Sequence, residues 1–401
     1  MKKLLIIETE YVGHYLTGYI KYILRALDKK KIKIYILTSK ETLKNGKGAL
    51  KILKGEKVKF KIITIPTLKV SKKDFVSLTL YQLKLYFLIK KNFKSLNNKI
   101  KFDHIILTSM QRIDKIISIF GSPFGKIKFS GIFLGLKFHL QNFEIKSEST
   151  NHFLSKLLFN RLLRITTLTK IITNDYLLKK YLKNNHWKNQ KKVFFLHDPK
   201  EFKYKFNKNY ALKKLNLKKN KFIILVYGAI IDSKGVEELL QIYKYKIRDV
   251  HCLIVGKQFD STKNFLNKNK FVENLKNNRN ISLYNGWQSE KNEAIFFSAC
   301  DAIWIGYKNY PFPSGVLYQA VSLKKPSIIS KEAGFINDLN NKFKIGLSCN
   351  IHDPSDILSV IKKLKKSKYS QLIKKNTSKF LFQCNPSIWT KKFQEFIIKT
   401  I

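Results

Sequence analysis

Arginine is scarce in this chain of 401 residues, although lysine and arginine together number 78 against 27 acidic residues. The planar, forked guanidinium of arginine is the group best suited to reading bases and to clamping phosphates. An arginine-rich nucleic-acid interface is therefore not indicated. The formal net charge of +51 reflects either a general preference for lysine or an anionic partner such as a membrane surface. The six arginines are Arg25, Arg112, Arg161, Arg164, Arg248 and Arg279.

Cysteines, export signals and long apolar runs are also few or missing. The four cysteines show no paired short spacing of the zinc or redox kind, so we expect buried thiols in a reducing cytosol. The apolar start of the chain stops at Glu8, and we expect no export signal. The longest apolar stretch, 222–231, is about half of the roughly 20 residues that cross a bilayer. These features predict a cytoplasmic protein.

Several motifs of cofactor and metal chemistry are absent. The chain has no G-x-G-x-x-G dinucleotide fingerprint and no G-K-[ST] phosphate loop. It also lacks Asp-x-Asp, H-E-x-x-H and any histidine-rich cluster. We therefore expect neither a metal nor a bound cofactor.

Short apolar strands alternate with helical segments along most of the chain. In the second half, 353–354 reads as an N-cap followed by proline at the first helical position. Alternation at this spacing predicts two doubly wound, Rossmann-like α/β domains that face each other across a cleft. The predicted strands are 4–7, 34–37, 60–65, 104–107, 131–134, 170–172, 222–227, 252–255, 281–284, 302–305, 327–329 and 346–349.

A domain boundary is predicted where an apolar segment meets a very basic one, near His197-Asp198-Pro199. We expect residues 1–198 to form one domain and residues 199–384 a second. Residues 385–401 are predicted to form a last helix that packs back on the first domain.

Ligands of parallel sheets bind where the strands end, so candidate residues lie in those loops. Lys234 follows the glycine turn at Gly228, directly before a predicted helix, and would point its ammonium at a phosphate bound at that helix N-terminus. Ser314 is predicted to cap the next such helix, leaving the amides of Gly315, Val316 and Leu317 free for an anion. An ordinary structural role explains these residues equally well: Ser314 would simply cap its helix, and Lys234 would be an exposed lysine.

The loop after the first strand offers a second group of candidates. Gly13 allows a ligand to approach the backbone closely, and a histidine such as His14 is able to accept or donate a proton. His139 follows another predicted strand end. We consider both histidines as candidate catalytic residues, although a structural role is the more common one.

The second half resembles the donor domain of GT-B glycosyltransferases of the family 4 type. The resemblance rests on an ordered series over residues 220–365, from Gly228 and Lys234 through Gly286 to the segment 314–320. It implies a GT-B fold, with an acceptor-binding domain in residues 1–198 and a donor-binding domain in residues 199–384. It also implies that Lys234 contacts the donor diphosphate and that Trp287 lies beside the nucleotide base. The donor-binding residues that we assign are Gly13, Gly228, Lys234, Trp287, Ser314, Gly315, Val316 and Gln319.

Two departures from the family pattern bear on the function. Ala229 stands where the family usually has an arginine, and Pro311 and Gln319 replace its paired glutamates. The sequence nevertheless favours a metal-independent hexosyltransferase that moves sugar from a nucleotide sugar to a glycan or lipid-linked acceptor in polysaccharide or glycolipid synthesis. The alternatives are a catalytically silent GT-B-like scaffold and a basic nucleic-acid-binding protein.

A helix predicted over 75–96 suggests a place for the positive charge. Its apolar stripe runs from Leu78 to Ile89, and Lys90, Lys91 and Lys94 lie beside it. One interpretation is a core-packed helix with a solvated face. The other is peripheral docking on the anionic inner membrane leaflet, close to a lipid-linked acceptor.

Overall fold

The chain folds into two compact units, each built on its own sheet. A computed structural model describes residues 1–9, 16–27, 32–45, 53–55, 59–68, 75–145, 152–202 and 204–397. The first unit comprises Met1–Phe143, Glu148–Pro199 and Pro386–Ile401. The second comprises Glu144–Ser147 and Lys200–Asn385.

The first unit contains a seven-stranded parallel sheet in the order β3-β2-β1-β4-β5-β6-β7. Its strands are β1 Lys2–Glu8, β2 Ile32–Ser39, β3 Phe60–Ile65, β4 His104–Leu107, β5 Phe129–Ile132, β6 Leu168–Thr173 and β7 Val193–Phe195. Its helices are Lys21–Ala26, Lys40–Asn45, Phe75–Ile100, Asp114–Phe120, His152–Arg164, Tyr176–Asn184 and Pro386–Phe396, and a π-helical turn spans Leu16–Ile20.

The helix Pro386–Phe396 belongs to the core of the first unit, far in sequence from the rest of it. The Trp389 ring lies 6.3 Å from the Tyr19 ring and 6.2 Å from the Tyr22 ring, measured between centroids. The Gln394 amide donates a hydrogen bond to the Ala26 carbonyl at 2.7 Å. Because Trp389 is only 2% exposed, its packing against the segment that contains Tyr19 and Tyr22 stabilises the first unit.

The second unit contains a six-stranded parallel sheet in the order β10-β9-β8-β11-β12-β13. Its strands are β8 Phe222–Tyr227, β9 Val250–Gly256, β10 Ile281–Asn285, β11 Ala302–Ile305, β12 Ser327–Ser330 and β13 Gly346–Cys349. Its helices are Lys208–Lys214, Val236–Leu240, Asp260–Lys268, Lys270–Asn277, Glu290–Ala299, Gly315–Ser322, Gly334–Phe343, Pro354–Lys365 and Ser367–Cys384.

Both sheets reverse their strand order next to the first strand of the unit, between β1 and β4 and between β8 and β11. Such a switch point separates two neighbouring loops at the carboxyl ends of the strands and leaves room for a ligand. The predicted class of two doubly wound α/β units is confirmed.

The apolar stripe of the helix Phe75–Ile100 faces the core of its own unit. Leu85 and Ile89 are 2% and 1% exposed, and Tyr81 and Leu88 pack against the same cluster. The predicted stripe from Tyr81 to Ile89 is therefore a core surface, not a surface available for docking, whereas Leu78 at its start is 36% exposed.

Within the described residues, no helix is both long enough and apolar enough to span a bilayer. All four cysteines are buried free thiols.

Candidate functional site

The candidate site begins at the carboxyl end of β8, where the chain leaves the sheet through Gly228. Gly228 has a φ of 106°, a conformation that suits glycine. The neighbouring strand end is tight, because a Cβ on Gly256 would lie 1.7 Å from the Gly228 carbonyl oxygen. A Cβ on Gly228 itself would meet only Val316, at 3.9 Å. This loop therefore lies next to the first turn of the helix Gly315–Ser322.

A short turn positions Lys234. Asp232–Lys234 forms a 3-10 turn, and the helix predicted to follow directly begins two residues later, at Val236. Between them, Gly235 has a φ of 61°, and a Cβ there would lie 2.1 Å from the Gly306 carbonyl oxygen. The Trp304 indole donates a hydrogen bond to the Lys234 carbonyl at 2.9 Å. The backbone of Lys234 is thus fixed against the end of β11.

The Lys234 ammonium contacts the side chain of Tyr307. Its Nζ donates a hydrogen bond to the Tyr307 hydroxyl at 2.5 Å and lies 3.9 Å from the centre of that ring. Burial lowers the pKa of Lys234 to about 7, since a neutral tyrosine replaces little of the hydration that the charge loses. An anion placed at Nζ would supply the missing counter-charge.

Ser314 occupies the N-cap position of the helix Gly315–Ser322, but its side chain does not cap that helix. Our prediction of a capping side chain was wrong. The Ser314 hydroxyl instead lies 3.1 Å from the Tyr307 hydroxyl. The chain Lys234–Tyr307–Ser314 thereby links the two loops, because the buried Tyr307 hydroxyl competes successfully with the backbone amide.

The first turn of the helix Gly315–Ser322 has an exposed residue, Gly315, followed by the largely buried Val316. A Cβ built on Gly315 would meet nothing within 4 Å. In the part of the chain that the structure describes, the amides of Gly315 and Val316 have no hydrogen-bond acceptor. The Leu317 amide, which we also expected to be free, donates to the Ser314 carbonyl at 3.1 Å. Two amides and the helix N-terminus remain for an anion.

Gln319 is held on the inner side of the same helix. It is 6% exposed, and its side-chain amide donates a short hydrogen bond to Glu293. Burial raises the pKa of Glu293, which also pairs with the Tyr227 hydroxyl. The assignment of Gln319 to donor binding stays a prediction, and in this structure its amide is used by Glu293.

Trp287 lies at the same edge of the sheet as Gly228, just beyond β10. The turn before it contains Gly286, whose φ is 103° and whose amide donates to the Gly256 carbonyl at 3.3 Å. The Trp287 side chain is 64% exposed. Its role beside a nucleotide base stays a prediction.

The catalytic candidates of the first unit have different positions. Gly13 and His14 lie outside the described residues. His139 is fully buried, with its Nε2 2.8 Å from an Asp175 carboxylate oxygen. Asp175 also caps the helix Tyr176–Asn184 through the Leu178 amide at 3.1 Å. This arrangement holds His139 in the interior, and its catalytic role stays a prediction.

Two residues that the sequence analysis did not single out stand out in the structure. Tyr307 is one of them, since it connects Lys234 to Ser314. Glu8, at the carboxyl end of β1, is the other: burial raises its pKa to about 7, although Thr108 and Ser109 donate hydrogen bonds to it at 2.6 and 3.1 Å. An acidic residue that ends an otherwise apolar strand was the signal for Glu8.

Removing the Tyr307 hydroxyl should weaken the site modestly. Tyr307→Phe keeps the ring under the Lys234 ammonium but leaves Nζ without its acceptor, so we expect anion binding at Lys234 to weaken by about three- to ten-fold. Tyr245→Phe, on an exposed tyrosine of the same unit, is the matched control. Equal affinities of the two variants for the nucleoside diphosphate would contradict the positioning role of Tyr307.

No group of three or more histidine, cysteine or acidic side chains that could hold a metal is found among the described residues.

Comparison with known proteins finds a family match in the second unit. Residues 207–380 match the family described as glycosyl transferases group 1. No curated protein matches the chain by sequence.

Three similar solved structures cover nearly the whole chain. Sucrose-phosphate synthase from Thermosynechococcus elongatus has a TM-score of 0.71 at 13% identity, covering 100% of this chain and 99% of that one. Anabaena Alr3699/HepE in complex with UDP has a TM-score of 0.69 at 12% identity, covering 100% of both. WaaG, a glycosyltransferase involved in lipopolysaccharide biosynthesis, has a TM-score of 0.63 at 11% identity, covering 98% and 99%.

Proposed function

We propose that this chain, which has the GT-B fold and whose residues 207–380 match the glycosyl transferases group 1, transfers a hexosyl group from a nucleotide sugar. The acceptor is a glycan or a lipid-linked sugar in cell-surface polysaccharide or glycolipid synthesis. The reaction takes place in the cytoplasm and needs no metal. The HepE structure that contains UDP supports a nucleotide-sugar donor, because its fold is shared along the whole chain.

The observation that carries this proposal is the half-buried Lys234, which Tyr307 and Ser314 link to the start of a helix with two unpaired amides. As the bond between the anomeric carbon and the phosphate oxygen breaks, its electrons move to the leaving diphosphate. Lys234 and the amides of Gly315 and Val316 would stabilise that charge where it develops. A preorganised site of this kind performs the task without a metal ion.

The acceptor hydroxyl must lose a proton as its oxygen bonds to the anomeric carbon. If the anomeric configuration inverts, a protein base takes this proton, and His14 or His139 is the candidate. If the configuration is retained, an oxygen of the departing phosphate takes it. Both routes use the same diphosphate site in the second unit.

Binding and turnover of a panel of nucleotide sugars test the proposal. We expect one donor to bind and to be hydrolysed slowly without acceptor, with release of its nucleoside diphosphate. Turnover should persist in EDTA. Loss of turnover in EDTA would contradict metal independence.

The same panel separates the alternative functions. Donor binding with no hydrolysis or transfer to any glycan acceptor would favour a silent scaffold, in line with Ala229 and Pro311 at the family's charged positions. Binding of no nucleotide sugar at all would overturn the proposal.

We further propose that the first unit docks on an anionic membrane surface. The helix Phe75–Ile100 exposes a stripe that differs from the predicted one and carries both apolar and basic side chains. Phe87 is 49% exposed, and its ring lies 6.4 Å from that of Phe120, which is 59% exposed. The stripe comprises Leu80, Lys84, Phe87, Lys91 and Lys94, all exposed.

Reversing the charge of this stripe should weaken membrane binding. Each lysine near an anionic surface contributes about 1 kcal/mol, so Lys84→Glu, Lys91→Glu and Lys94→Glu together should lower binding to anionic vesicles by at least about a hundred-fold. The control changes Lys368, Lys374 and Lys375, exposed on the helix Ser367–Cys384, to glutamate. Co-sedimentation measures the effect; equal binding to neutral and anionic vesicles, or none to either, would overturn docking.

A further inference from the structure

We propose that the second unit has another anion site, at the amino ends of β8, β9 and β10, which takes a small polyphosphate. The proposed donor site lies at the carboxyl ends of the strands, so the two sites lie at opposite ends of the strands of the same sheet. The inference rests on two neighbouring recesses and on the charges around them. It does not depend on the proposed transferase activity.

The smaller recess has a volume of about 390 Å³ and is bordered by lysine and arginine side chains. Lys218 and Lys221 approach it from the segment before β8, and Lys276 and Arg279 from the segment before β10. No acidic residue lines it. Its polar floor includes His251, which lies 3.0 Å from the Ser282 hydroxyl.

The positive charges in this recess are held in place without being neutralised. The Lys221 Nζ donates to the Arg279 carbonyl at 3.1 Å and to the Asn280 side chain at 3.2 Å. The Lys276 Nζ donates to the Leu266 carbonyl at 2.7 Å. Neutral acceptors fix both ammonium groups, and burial together with the charge of Lys218 lowers the pKa of Lys221. An anion would relieve this repulsion.

A second recess of about 750 Å³ shares Lys218 and Lys221 with the first. Lys246 and Arg248 extend the positive border. The acidic residue on this border, Asp249, is paired with Lys365 at 2.5 Å. Two of the six arginines of the chain therefore line this region, Arg279 in the smaller recess and Arg248 in the larger one. Their forked donors match phosphate oxygens.

The shape of the site selects the class of ligand. Recesses of a few hundred Å³ fit small molecules, whereas a membrane surface or an extended polymer needs a flat or open groove. Two recesses joined through Lys218 and Lys221 suit an anion with phosphates at both ends. Inorganic tripolyphosphate has this chemistry and serves as the probe.

The test compares tripolyphosphate binding by calorimetry in full-length protein carrying Lys234→Met, so that the proposed donor site does not contribute. In this background we expect one binding event at physiological ionic strength. Adding Lys218→Gln and Arg279→Asn should weaken it by at least about thirty-fold, since each change removes a charge-assisted contact. Arg279 has a φ of 52°, which asparagine tolerates, so the fold should be kept.

A matched control removes two charges elsewhere. Lys374→Gln and Lys375→Gln on the helix Ser367–Cys384 should leave the affinity within about two-fold, because both side chains are exposed and neither lines either recess. Equal weakening by both pairs, or no binding in the parent, would overturn the site. So would displacement of tripolyphosphate by single-stranded RNA whose affinity grows with its length, since this indicates a nucleic-acid surface.

Discussion

Lys234→Met should weaken binding of the nucleoside diphosphate selected in the donor panel by about ten- to a hundred-fold. The substitution keeps an unbranched side chain over the Tyr307 ring but removes the charge, and a charge-assisted phosphate contact contributes about 1.5 to 3 kcal/mol. Turnover should fall at least as much, because the contact strengthens as the phosphate gains charge. Calorimetry and steady-state kinetics measure the two effects.

Lys244→Met provides the control, since Lys244 is exposed on the same unit and lies in the 3-10 segment Gln241–Tyr245. It removes the same charge without touching the Tyr307 ring. If both variants bind the diphosphate with the affinity of the unmodified protein, Lys234 does not contribute to the diphosphate site.

The unusual pKa of Lys234 adds a test by pH. Its pKa is lowered to about 7 by burial, so the free protein loses the positive charge as the pH rises above that value. If only the protonated form binds the diphosphate, affinity should fall by about fifty-fold between pH 7 and pH 9. In Lys234→Met this dependence should disappear. An affinity that stays flat across this range in the unmodified protein would contradict the assignment.

Gly315→Leu should abolish diphosphate binding while leaving the fold intact. A Cβ at Gly315 meets no atom within 4 Å, so the new side chain is accommodated but fills the space above the amides of Gly315 and Val316. Losing access to both charge-assisted amide contacts should weaken binding by at least about a hundred-fold. Binding by calorimetry and the thermal midpoint should be measured together.

Gly315→Ala separates blockage from backbone effects. Alanine also fits without a contact and improves the helix, but it reaches less far into the open space. We expect an intermediate affinity. Normal diphosphate binding by Gly315→Leu would show that these amides do not hold the phosphates.

Most strands of this fold can be predicted because they are buried on both faces. A central parallel strand has no polar alternation, so β8 and β11 stand out as short apolar runs with the predicted bounds. β5 lies two residues earlier than predicted, since Gly131 packs inside the strand against Met110. The apolar segment just before the predicted domain boundary forms β7, the edge strand of the first sheet.

The side-chain contacts of the candidate site were much harder to predict. The sequence shows that Ser314 precedes a helix, but the choice between the helix amide and Tyr307 depends on tertiary packing. In the same way, Gln319 meets Glu293 from another helix, 26 residues earlier in the chain. Spacing along the sequence is enough to find the loop glycines and Lys234. The side chains that contact them belong to other helices and strands, so spacing does not reveal them.

The chain order of the first unit has a consequence for its synthesis. Tyr19 and Tyr22 are made early, but the Trp389 that covers them follows the whole second stretch, Lys200–Asn385. At about 5 to 20 residues per second, a ribosome needs roughly 10 to 40 s for that stretch. During this interval the second unit is able to fold while the nascent first unit still exposes an aromatic face. Chaperone capture should therefore be strongest on nascent chains that end before residue 386.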